Sequence, residues 1–223
     1  MQLVREIGYL MQKDFRLEWR QRATLSGMLL YVGSTVFVCY ISFALRGGEL
    51  PAPAWNALFW IILLFTAVNA VAKGFLQESR GRQLYYYALV RPQAVILAKI
   101  GYNVLLLLGL GGVGFALYAL MLGNPVQDVP LFLLNMALGA IGFASTLTLV
   151  SGIAAKATNS HTLMAILGFP LMIPMLLLLI KVSKNALDGL EFDASRSSLL
   201  TLVALNMIVG AVSYLLFPFL WRS

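Results

Sequence analysis

Six long apolar runs dominate this chain, at 24–45, 55–72, 100–122, 129–154, 162–182 and 197–220. A helix crosses the hydrocarbon core of a bilayer with about 20 apolar residues, so each run is long enough, or nearly so, to span. The breaks between them carry turn chemistry: Arg46-Gly47-Gly48 ahead of Pro51 and Pro53, Gly123-Asn124-Pro125 ahead of Pro130, and Thr158-Asn159-Ser160. Composition agrees, with 60% hydrophobic and 11% charged residues, where a soluble domain carries about 25% charged. No soluble fold hides that much apolar surface. The expected fold class is all-α integral membrane, six transmembrane helices in a single domain over 1–223.

Lysine and arginine set the expected orientation. Arg5, Lys13, Arg16, Arg20, Arg22, Lys73, Arg80, Arg82, Arg91, Lys99, Lys156 and Arg222 fall on one side of the six runs, and only Arg46, Lys181, Lys184 and Arg196 on the other. Twelve against four predicts that both termini are cytoplasmic. The net charge of +7 sits in short segments between apolar runs, a pattern of membrane orientation and not of nucleic-acid binding. The first 23 residues are too charged for a signal peptide, so the first run is expected to remain as a span. The segment 181–196, with Asp188, Glu191 and Asp193, reads as the largest external loop.

Little within the runs looks catalytic. Cys39 is the one cysteine and His161 the one histidine, and neither shows metal-ligand spacing. Lys73 and Lys99 stand at run ends and can snorkel. No acid lies inside a run, against the pattern of a proton-coupled pump. Asn69, Asn103, Asn135, Asn206, Thr146 and Thr148 are the polar residues expected to bond between helices. "GLGGVG" at 109–114 matches a dinucleotide fingerprint letter by letter. It lies mid-run, with no preceding strand, so its glycines read as points of close helix approach. Gly139, Ala140, Gly142 and Ala144 form a similar small face. No G-K-[ST] phosphate loop is present. Trp55 and Trp60 near the start of the second run read as interface anchors. Pro170 and Pro174, in "FPLMIPMLL", weaken one stretch of the fifth run, as a static kink or as a hinge.

Two polar elements flank the predicted cytoplasmic side. Residues 1–23 read as an amphipathic helix, with Leu3, Ile7, Met11, Phe15 and Trp19 recurring every four residues and Arg5, Lys13, Arg16 and Arg20 opposite. Asp14, Glu18 and Arg22 are spaced for ion pairing along it. Residues 77–92 contain "ESRGRQLYYYALVRP", with Glu78 and Arg82 one turn apart and Arg91-Pro92 ending any helix there. Tyrosine and arginine suit a protein interface. The segment either lies on anionic lipid or docks a cytoplasmic partner.

The order of these elements resembles the membrane subunit of an ABC-2-type exporter, and more narrowly the haem exporter protein B family of cytochrome c maturation. The resemblance runs along almost the whole chain. It rests on "KDFRLEWRQRA" (13–23), on Glu78…Gly81…Leu84 followed by "AVILAK" (94–99), and on "FPLMIPMLL" (169–177). It implies a non-catalytic homodimeric subunit in the bacterial inner membrane. A separate cytoplasmic ABC ATPase would supply ATP hydrolysis, docking at Glu78, Gly81, Arg82, Leu84, Tyr85, Tyr86 and Leu89. Asp14, Glu18, Trp19 and Arg22 would mark the N-terminal interface helix, and Pro170 and Pro174 a hinge. Family members carry an acid just after the Gly-x-Leu of the docking segment, where this chain has Gly81-Arg82-Gln83-Leu84 and then Tyr85. No directly bound cofactor is implied. Haem is a candidate substrate, and the other maturation membrane proteins, a haem chaperone and membrane lipids are further implied partners. The alternatives are an ABC-2 permease for a lipid, glycan or drug, and a membrane scaffold without transport.

Overall fold

The computed structural model describes residues 2–20, 22–44, 50–76, 90–155 and 160–222. They form seven helices: α1 (Gln2–Arg20), α2 (Arg22–Ala44), α3 (Ala52–Leu76), α4 (Pro92–Leu122), α5 (Val129–Ala154), α6 (Ser160–Leu187) and α7 (Phe192–Arg222). No strand occurs among the described residues. The six helices after α1 are each long and apolar enough to cross a membrane.

α5 is the axis of the bundle, packed against α3, α4, α6 and α7. Its small residues make that crowding feasible. A Cβ on Gly139 would lie 2.8 Å from the Trp60 ring and 3.2 Å from a Leu179 methyl. A Cβ on Gly142 would overlap the Met175 sulfur and stand 2.6 Å from Asn206 Oδ1. Without a hydrophobic force between helices in lipid, such close van der Waals contact is what holds spans together. The "GLGGVG" stretch lies inside α4 as one continuous helix. There Gly114 faces Val32 of α2 and Gly111 faces Leu63 of α3. A Cβ on these two glycines would stand 3.3 and 3.4 Å from those side chains, so little room separates the helices.

Two helix boundaries differ from the apolar runs. α4 begins at Pro92, eight residues before its run, and its 31 residues extend about 46 Å at 1.5 Å per residue. Hydropathy marks where lipid is and not where a helix ends. Arg91-Pro92, read as the end of any helix before it, is also a helix start: proline at N1 loses no hydrogen bond, and Arg91 holds the extended backbone (φ −67°, ψ 136°) expected before proline, while residues 77–89 lie outside the described residues. Of 181–196, only 188–191 lie between helices. Asn185 Nδ2 donates to Ser195 Oγ at 2.9 Å, tying α6 to α7 across that turn, and Gly189 takes φ +64°.

Trp55 and Trp60 are not surface anchors. They are 1% and 0% exposed. Trp55 stacks among Phe59, Tyr118 and Phe132, with the Tyr118 ring 4.8 Å away, and its Nε1 donates to Gly123 O at 3.0 Å. Their position near a span end fits a belt equally well on sequence. Burial follows because α3 is an interior helix beside α5.

Candidate functional site

The end of the bundle that carries α1 holds a junction of four helices. Val95 and Ile96 at the start of α4 cluster with Phe217 near the end of α7, and Leu10 of α1 and Ala155 after α5 pack against them. α1 lies along α4. Gly101 allows this, because a Cβ there would meet the Met11 thioether at 3.1 Å. One turn further along α1, Asp14 pairs with Lys13 at 3.0 Å. Glu18 stands against Tyr102 of α4, the two lining one groove.

α1 does not turn its five four-spaced apolar residues to one side. Met11 faces α4, while Phe15 and Trp19 are 58% and 65% exposed and stack on each other at 5.9 Å. A spacing of four drifts by ~40° per step at 3.6 residues per turn, so Leu3 and Trp19 end on different sides. The inward face is therefore partly acidic, with Asp14 and Glu18 half-buried. Arg5, Arg16 and Arg20 are exposed, but Lys13 is half-buried. The Arg22 side chain lies outside the described residues.

The second arrangement is a grip on α6. Asn135 of α5 donates to Leu179 O and to Ser183 Oγ, both at 2.8 Å. From α3, Trp60 Nε1 donates to Ser183 Oγ at 2.7 Å and Asn56 Nδ2 to Ile180 O at 2.8 Å. Pro174 lies about one and a half turns and Pro170 about two and a half turns from Leu179 along α6, both exposed. α6 continues as one helix through both. Each proline still withholds an N–H from the carbonyl four residues earlier, so Ile166 and Pro170 lack that intrahelical donor. Half of α6 is thus pinned by three side chains, and the stretch beside it has the weakest backbone ladder.

Two further interior amides act between helices. Asn103 Nδ2 donates to Thr148 Oγ1 at 2.9 Å, and Asn206 Nδ2 to Leu138 O at 3.1 Å. Asn69 differs: it is exposed on the outer face of α3. Thr146 is buried with no hydrogen bond from its hydroxyl. Among the described residues no three His, Cys, Asp or Glu side chains gather as a metal site. The His161 side chain lies outside them. So do Glu78, Gly81, Arg82, Leu84, Tyr85, Tyr86 and Leu89.

Sequence reasoning did not single out Tyr102, Asn56, Ser183 or Phe217, and it met Val95 and Ile96 only as part of "AVILAK". Asn56 carried a usable cue, being an amide at the start of an apolar run beside two tryptophans. Phe217 carried none, since an apolar residue in a span looks the same facing lipid or facing a neighbour.

Six helices of membrane-spanning length and apolarity, with no strand among the described residues, define a multi-pass membrane protein. The chain belongs to the CcmB protein family, whose sequence profile matches residues 5–219. Membership makes it the membrane subunit of a haem-exporter ABC system for cytochrome c maturation. No curated protein matches the chain.

Proposed function

We propose that this subunit turns ATP hydrolysis by a separate cytoplasmic ATPase into movement of its spans, within the bacterial cytoplasmic membrane and with both termini in the cytoplasm. The ATPase docks on 77–92 through Glu78, Gly81, Arg82, Leu84, Tyr85, Tyr86 and Leu89. The subunit works beside a second copy of itself and the other maturation membrane proteins. Its stroke handles haem as substrate or releases the haem-loaded chaperone.

One observation carries this reading. The docking segment passes from the end of α3 at Leu76 to the start of α4 at Pro92. Three residues beyond Pro92 begins the cluster of Val95, Ile96 and Phe217, on which Leu10 and Ala155 also rest. A displacement of the segment therefore reaches α1, α4, α5 and α7 together. α6 is the moving element on this reading, hinged at Pro170 and Pro174 below its pinned half. Glu18 holds α1 in register with α4 at Tyr102, Asp14 is paired with Lys13 within α1, and Trp19 and Arg22 sit where α1 passes into α2.

The docking assignment is tested by Gly81→Pro combined with Leu84→Asp. Proline removes a backbone donor and aspartate places charge on the apolar contact. The double variant is expected to insert normally but to lose the ATPase on co-purification. ATPase recovered at the wild-type ratio would overturn the assignment.

A further inference from the structure

A groove of about 290 Å³ opens sideways between α1, α2 and α4. Its wall is apolar, from Leu29 of α2 to Leu105 and Gly109 of α4, with Phe15 and Trp19 of α1 over one end. Leu29 and Leu105 are 43% and 59% exposed, so the groove opens on a lateral face of the bundle, where lipid lies. Its polar lining is the Glu18–Tyr102 pair at the α1 end.

We infer that this groove seats one acyl chain of an anionic membrane phospholipid, with the phosphate held outside it by Arg16 and Arg20. Volume decides the kind of occupant. At ~30 Å³ per methylene, close to a water molecule's share, it holds roughly ten methylenes. It lies at or below the small end of drug-sized pockets, which begin near ~300 Å³, and so suits a slender chain and not a macrocycle. Charge decides the headgroup. Arg16 and Arg20 are exposed and one turn apart on α1, next to the groove-lining turn, with Arg16 a surface neighbour of Trp19 at i,i+3. Glu18 stands against Tyr102 on the inward side, so the outer rim is cationic and aromatic, the pattern of an element at the headgroup plane. Gly109 in its wall leaves room for a side chain: a Cβ there meets nothing within 4 Å.

That open space gives a clean test. Gly109→Leu fills the groove from within. Gly112→Leu makes the same change on the same helix, also into open space, but outside the groove lining. The full chain is reconstituted in vesicles of equal phosphatidylglycerol and phosphatidylcholine, extracted in mild detergent, and weighed by native mass spectrometry. The wild type and Gly112→Leu are expected to retain one phosphatidylglycerol per chain. Gly109→Leu is expected to retain about tenfold less, since the displaced methylenes supply the affinity. Arg16→Gln with Arg20→Gln is expected to keep a lipid but lose the preference for phosphatidylglycerol. Equal retention by wild type and Gly109→Leu, or equal loss from both glycine variants, overturns the proposal. A lipid-free wild-type dimer that Gly109→Leu splits would overturn it too, because a second copy would then fill the groove.

Discussion

Gly142 shows how much a single missing atom decides in this bundle. A Cβ at this position would run into the Met175 sulfur and crowd Asn206 Oδ1 at 2.6 Å, so α5, α6 and α7 converge on it. Gly142→Ala gains about 1 kcal/mol of helix propensity, but overpacking a tight site costs about 1–3 kcal/mol. Met175 is flexible and absorbs part of that, and Asn206 absorbs less because its amide is bonded to Leu138 O. We expect Gly142→Ala to lower the thermal midpoint in detergent by a few degrees and Gly142→Leu to abolish the folded subunit. An unchanged midpoint for Gly142→Leu would remove Gly142 from the packing argument. The small face around Gly142 was readable in the sequence because only small residues let backbones touch. Its partners were not: Asn206 and Leu138 are 68 residues apart, and no local pattern encodes a contact at that separation.

At the scale of the element, α6 is the instructive helix. Three side chains pin Leu179, Ile180 and Ser183, and the proline pair lies beside that pinned half, leaving Ile166 O and Pro170 O without their usual donors. Pro170→Ala with Pro174→Ala restores two backbone bonds, each worth about 1 kcal/mol. The double variant is expected to assemble at least as stably as wild type, yet to cut cytochrome c maturation several-fold, measured as haem-stained cytochrome. Full maturation would make the pair a static feature. The proline pair was visible in sequence, since proline chemistry is local. The grip was only half visible: Asn135 stood out as an amide in a span, whereas Ser183 is a small residue inside a segment that read as loop. The fault has a physical source. Apolarity reports contact with lipid, and α4 and α6 both run past their apolar stretches, to Pro92 and Leu187.

Across the whole molecule, the reading of six spans survives because lipid leaves a backbone few ways to satisfy itself. On the proposed mechanism the spans are coupled at the junction of Phe217, late in α7, with Val95 and Ile96 some 120 residues earlier. Phe217 is 2% exposed. In a water-soluble core Phe→Ala costs about 3–5 kcal/mol. Where lipid is the alternative surroundings, the transfer part of that cost largely falls away and the packing part remains. Phe217→Ala should therefore leave the subunit folded and the ATPase bound, while removing the side chain through which α7 feels α4. The expected phenotype is uncoupling: ATP hydrolysis by the purified complex stays within about twofold of wild type, and cytochrome c maturation in cells falls several-fold, a split a merely unstable variant would not give. Loss of both activities together would mean that Phe217 only holds the fold. Retention of both would mean that force leaves the docking segment by another route, through α3.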